Sequence, residues 1–149
     1  MQHRQAFLRH VDALGGVAHH SLVMTGEGAC SLRTEAGQVL SITLDDAAGR
    51  LCLRADLGPL PPARRAVLYR CLLAGNLFPP APDVVLSLDD EARVHATCRI
   101  RLQELDTVAL SAVVDAVLAA AEQWRRNIQG AGTADADDTL PPCPPLSRA

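Results

Sequence analysis

Several residues in this chain are of types that can do chemistry. His19 and His20 are adjacent imidazoles, a pair that could ligate a metal. A zinc site needs a tetrahedral ligand set, and no Cys or carboxylate stands at ligand spacing from them, so they read as loop histidines. Asp135, Asp137 and Asp138 resemble the opening of a calcium loop, but its central Gly and terminal Glu are missing. The five cysteines, Cys30, Cys52, Cys71, Cys98 and Cys143, form no CxxC pair. All but Cys143 sit in apolar runs, as small core hydrophobes do. Cys71 would be a nucleophile only if a helix N-terminus or a His base lowered its pKa; neither is expected there, and a buried interface thiol is the better reading. No Ser, His and Asp fall into a nucleophile-elbow motif. The chain has no Lys, which excludes Schiff-base lysine chemistry and a phosphate-loop lysine. Arg64, Arg65, Arg99, Arg101, Arg125 and Arg126 could form an anion patch, but they alternate with apolar residues or sit at helix ends, as solvated side chains do. The expectation is a protein that is not an enzyme, with no metal and no cofactor.

A chain without a reactive set acts through its surfaces, and its elements decide which surfaces exist. Phe7, Leu8, Val11 and Leu14 recur at helical spacing and predict a first amphipathic helix ended by Gly15-Gly16. Val17 to Gly28 is loosely patterned. Three strands are then predicted by period-two alternation. The first carries Cys30, Leu32 and Thr34; the second Leu40, Ile42 and Leu44 against Val39, Ser41 and Thr43; the third Leu51, Leu53, Ala55 and Leu57. Turns at Glu35-Ala36-Gly37 and Asp45 to Gly49 make this an antiparallel meander with one buried face. Pro61-Pro62 opens a second helix, Ala63 to Asn76, and Pro79, Pro80 and Pro82 prevent its continuation. A hairpin follows, with Val84, Leu86 and Leu88 on one strand, an acidic turn at Asp89-Asp90-Glu91, and Val94 to Leu102 on the other. Asp106 is a good N-cap for the closing helix, whose stripe runs Leu110, Val113, Val114, Val117, Ala121, Trp124, Ile128; Gly130 is placed to end it. The order αβββαββα predicts an α+β fold, a twisted antiparallel sheet packed with helices.

Composition narrows the class further. The 149 residues fit one domain, and 48% hydrophobic content supports a sizeable core that 3% aromatics make aliphatic. Residues 1–129 are read as that domain and 130–149 as a disordered Pro-, Ala- and Asp-rich tail. A net charge of −3 argues against a nucleic-acid partner. An odd cysteine count without paired spacing fits reduced thiols in the cytosol. The N-terminal stretch is amphipathic, unlike a secretory signal. No continuous apolar run approaches the roughly 20 residues of a membrane span, so a cytoplasmic protein without membrane insertion is expected.

The second helix is apolar on more than one side. Val67, Leu68, Cys71 and Leu72 spread over more than half of its circumference, while one sheet can cover only one side. A symmetric homodimer through these four residues is the expectation.

The order of elements resembles the Tir chaperone family, the class I chaperones of bacterial type III secretion. The resemblance rests on the Gly–Pro corner Leu57-Gly58-Pro59-Leu60-Pro61, on Leu72-Leu73-Ala74-Gly75-Asn76, similar to the family's "LL-x-x-N" second helix, on the hairpin from Val84 to Leu105, and on Trp124 near the end of the closing helix. Val17 to Gly28 and the Pro-rich tail lie outside that pattern. The resemblance implies a cytosolic homodimer without cofactor or catalytic residues. It also implies partners: the N-terminal, non-globular segment of a secreted effector, and the secretion ATPase. On that basis Phe7, Val11 and Leu14 are expected to line the effector groove, with Val39, Ser41 and Thr43 on the second strand. A regulatory or scaffold protein of the same fold is the alternative.

Overall fold

The structure is a computed structural model describing residues 2–17, 21–77 and 84–133. It begins with helix α1 (Gln2–Val17), followed by strands β1 (Ser21–Gly26), β2 (Ala29–Arg33), β3 (Val39–Asp45) and β4 (Arg50–Pro59). A 3₁₀ turn at Pro62–Arg64 leads into helix α2 (Arg65–Leu77). Strands β5 (Val84–Leu88) and β6 (Arg93–Arg101) precede helix α3 (Thr107–Thr133). The strands form one antiparallel sheet in the order β1-β2-β3-β4-β6-β5. The expected α+β architecture is therefore present.

The differences from the expected elements have local causes. Helix α1 runs through Gly15 to Val17; two glycines lower helix propensity but do not forbid helical dihedrals. The loosely patterned stretch contains strand β1, which pairs with β2 and bulges between Met24 and Gly26. Helix α3 passes Gly130 and ends at Thr133. The tail beyond it, and the prolines between α2 and β5, lie outside the described residues. Asp106 caps α3 as expected, its Oδ1 accepting the Ala109 N–H at 2.7 Å.

Ladder register sorts the strand residues onto two faces. Leu32, Leu40, Ile42, Leu51, Leu53, Ala55, Val94, Ala96 and Cys98 all point to one side and are buried there. That side is covered by α1 and α3, which also touch each other, and by α2 beside β5. Val39, Ser41, Thr43, Arg54, Arg99 and Arg101 point to the other side, which no described helix covers, and all are exposed.

By length and composition Thr107–Gly130 could cross a membrane, with 24 residues and hydropathy 1.2, although no apolar run of that size was expected from the sequence. A core helix passes the same test, and here Leu110, Val113, Val114, Val117, Leu118, Ala121 and Ile128 are buried in the core cluster. The closing helix is fixed to the sheet by polar contacts as well. Glu122 accepts hydrogen bonds from Gln38 at 2.7 Å and from Arg125 at 3.1 Å, and Arg125 donates to the Asp56 carbonyl at 3.0 Å.

Helix α2 is keyed in at Gly75 and Asn76. A Cβ on Gly75 would lie 2.6 Å from Cζ2 of Trp124, so only glycine lets the two helices approach this closely. The Asn76 amide bonds both backbone groups of Leu86, donating to its carbonyl and accepting its N–H, each at 2.7 Å. The side chain thus occupies the outer hydrogen-bonding positions of edge strand β5, a way of covering a free edge.

Candidate functional site

No group of His, Cys, Asp or Glu suited to holding a metal occurs among the described residues. His19, His20, Cys143 and the aspartates of the tail lie outside those residues. Cys30, Cys71 and Cys98 are buried and Cys52 is half-buried. Burial pushes the Cys30 thiol up to about 11, which keeps it protonated and unreactive near neutral pH.

A tightly organised polar cluster closes the β5–β6 hairpin. Asp89 Oδ1 accepts the N–H groups of Glu91 at 3.1 Å and Arg93 at 2.9 Å, and Oδ2 pairs with His95 Nε2 at 2.8 Å. His95 is only 7% exposed and its Nδ1 has no partner. Ala92 sits at φ 58, a left-handed conformation costly for a residue with a Cβ, and its N–H is held by the Asp89 carbonyl at 3.1 Å. Beside it Arg93 forms an ion pair with Asp56 through two hydrogen bonds. Burial works against ionisation of Asp56, but the Arg93 guanidinium, the Gly58 amide and the charges of Arg93 and His95 together hold its carboxyl below the usual range. The Asp89 carboxylate is engaged with the hairpin's own amides and ring, and the cluster shapes a turn.

The residues expected to bind a partner divide between places that cannot form one groove. Phe7, Val11 and Leu14 are buried at 0%, 4% and 2% exposure, packed in the core beneath α1. Their periodicity marked the core face of the helix, because a core stripe and a groove stripe have the same spacing. Val39, Ser41 and Thr43 are exposed on the opposite face of the sheet. On α1 the apolar side chain left exposed is Leu8, at 41%, and on β1 Val23 and Met24 are exposed, at 57% and 43%. Leu22 and Met24 point to the α1 side of the sheet, opposite Leu32 and Cys30. An ion pair from Arg4 to Glu27 at 3.0 Å ties α1 to the β1–β2 turn. Among the described residues, strand β1 has a partner strand on one side only, whereas the β5 edge is bridged at Leu86 by Asn76.

Helix α2 is two-sided, as expected, but the named residues require correction. Leu68, Cys71 and Leu72 are buried in this protomer at 2%, 4% and 4% exposure, and Val67 is half-buried. The second apolar side is carried by Tyr69, Leu73 and Leu77, at 36%, 71% and 70% exposure. They repeat every fourth residue and so form one stripe along the helix. That spacing is visible in the sequence; what hides it is that Leu72 and Leu73 are adjacent, and only the fold says which faces inward.

Comparison with known proteins gives a consistent picture. The model of the Tir chaperone protein (CesT) family matches residues 7–125. No curated protein matches in sequence. Among solved structures, a chain of the HopA1–SchA chaperone–effector complex is 22% identical with TM-score 0.64, covering 87% of this chain and 98% of that one. A chain of the ExsC–ExsE complex is 21% identical with TM-score 0.62, covering 84% and 92%. A chain from the complex of the Yersinia pestis type III secretion chaperone SycH with a fragment of YscM2 is 16% identical with TM-score 0.61, covering 81% and 98%. At these identities the structural likeness establishes the fold.

Proposed function

Because the chain belongs to the Tir chaperone protein (CesT) family, we propose that it is a cytosolic chaperone of type III secretion that keeps an N-terminal effector segment non-globular and export-competent. The observation that carries this reading is the family match across residues 7–125. The HopA1–SchA chaperone–effector complex, one chain of which shares this fold, supports it.

The proposed client site is the margin between α1 and β1. Leu8 and Met24 offer apolar contacts there, and the unpaired side of β1 offers backbone N–H and C=O groups to an added strand. A segment disordered by itself would order on this margin, its apolar burial offset by the entropy lost. Holding the segment extended prevents premature folding and requires no ATP from the chaperone; the secretion ATPase is the proposed acceptor. The working unit is proposed to be a homodimer through the Tyr69, Leu73 and Leu77 stripe, an isologous contact in which each copy covers the other's exposed leucines.

The test is co-purification with the effector encoded nearest to this chain's gene. Leu8→Asp combined with Met24→Asp should abolish capture while leaving the melting temperature within a few degrees, since both side chains are already solvated. Undiminished capture would place the client elsewhere.

A further inference from the structure

The uncovered face of the sheet carries a strip of arginines. Register places Asp45, Arg50 and Arg101 in one row across β3, β4 and β6. The next row is Thr43, Cys52 and Arg99, and the one after it Ser41, Arg54 and Thr97. Arg50, Arg54, Arg99 and Arg101 are all exposed. Arg50, Arg54 and Arg99 form none of the ion pairs among the described residues. Arg101 lies 3.8 Å from Glu104, with both side chains more than half exposed. Asp45 is spent on the Ala48 N–H at 3.1 Å. Arg4, Arg93, Arg125 and Arg126 have carboxylate partners, while Arg9, Arg33, Arg64, Arg65 and Arg70, like the strip, form none of these ion pairs. Like charges directly opposite on neighbouring strands, as Arg50 and Arg101 are, oppose folding. The strip is therefore not explained by stability.

We propose that this face binds an acidic, extended polypeptide segment. Carboxylates on alternate residues of an extended chain lie roughly 7 Å apart, the spacing of Arg99 and Arg101 on one strand. Arginine forks suit carboxylates, and Thr97 adds a hydroxyl on the same surface. The rows of the strip include no aromatic side chain on which a base could stack, which favours an acidic peptide over a single-stranded nucleic acid. The strip is separate from the α1–β1 margin, so either proposal can fail without the other.

The experiment is fluorescence anisotropy with a labelled peptide of alternating Asp and Ser, about eight residues long. The full chain should bind it at about 10 mM salt, where screening extends over roughly 30 Å, and lose most binding at about 0.15 M, where it extends over roughly 8 Å. Arg54→Ser with Arg99→Ser, and separately Arg50→Ser with Arg101→Ser, should each weaken it about tenfold. Circular dichroism melts should match the wild type, and an alternating Lys and Ser peptide should not bind. No binding of the acidic peptide at low salt, equal binding by both folded variants, or displacement by a single-stranded oligonucleotide at far lower concentration would overturn the proposal.

Discussion

Asp89 shows how much a single carboxylate can organise. It closes the β5–β6 turn through two backbone amides and the His95 ring, and it supports the left-handed Ala92. The hydrogen bond with His95 comes first among the causes that hold the Asp89 carboxyl below its usual range, followed by that from the Arg93 amide. A folded-state pKa below the unfolded value, about 3.9, stabilises the fold above that pH and loses the stabilisation as pH falls through the folded value. Asp89→Asn should therefore lower the melting temperature near about pH 6, and the gap to wild type should close as pH falls below about 4. Melts across that range check this; a gap independent of pH would mean that Asp89 acts by shape alone. The acidic turn was legible in the sequence. Which of Asp89, Asp90 and Glu91 would be its anchor was not, because each could accept bonds in such a turn and only the register of His95 decides.

The elements show where periodicity informs and where it falls silent. The buried strands alternate cleanly and were legible. Strand β1 was not, because it is an edge whose residues are exposed at all but one position, so no alternation marks it. Asn76 was legible as part of a motif, yet its work, bridging Leu86 across ten residues of sequence, belongs to tertiary structure. Asn76→Ala should cost about 1–3 kcal/mol by leaving both part-buried Leu86 backbone groups unpaired. Denaturant unfolding measures this, and a loss under a few tenths would show that water replaces the amide. On the same helix, Leu73→Asp with Leu77→Asp should convert a dimer to a folded monomer, raising the dimer dissociation constant by about a hundredfold or more. Light scattering with a melt separates this from Leu72→Asp, which should unfold the protomer because Leu72 is 4% exposed. A wild-type chain that is monomeric at high micromolar concentration would contradict the proposed contact.

At the scale of the molecule, a sheet with helices on one face leaves the other face and one edge for partners. The sequence marked the apolar runs of α1 and α2 but not which of two neighbours faces inward, since Phe7 and Leu8, or Leu72 and Leu73, differ by one position on a helix and by everything in exposure. The domain accounts for its own core within the described residues, whose last buried apolar side chain is Ile128. A chain ending at Thr133 should accordingly melt within a few degrees of the full chain, as removal of an unpacked tail does; a large drop would show that the tail docks.

The central claim is capture of an extended segment. Its most direct measurement is limited proteolysis of the complex isolated from the native cell, with mass spectrometry of the protected fragments. The chaperone reading predicts one continuous protected stretch near the N-terminus of a secreted partner, cleaved when that partner is alone. Recovery of only folded cytosolic proteins, with no protected extended stretch, would contradict it.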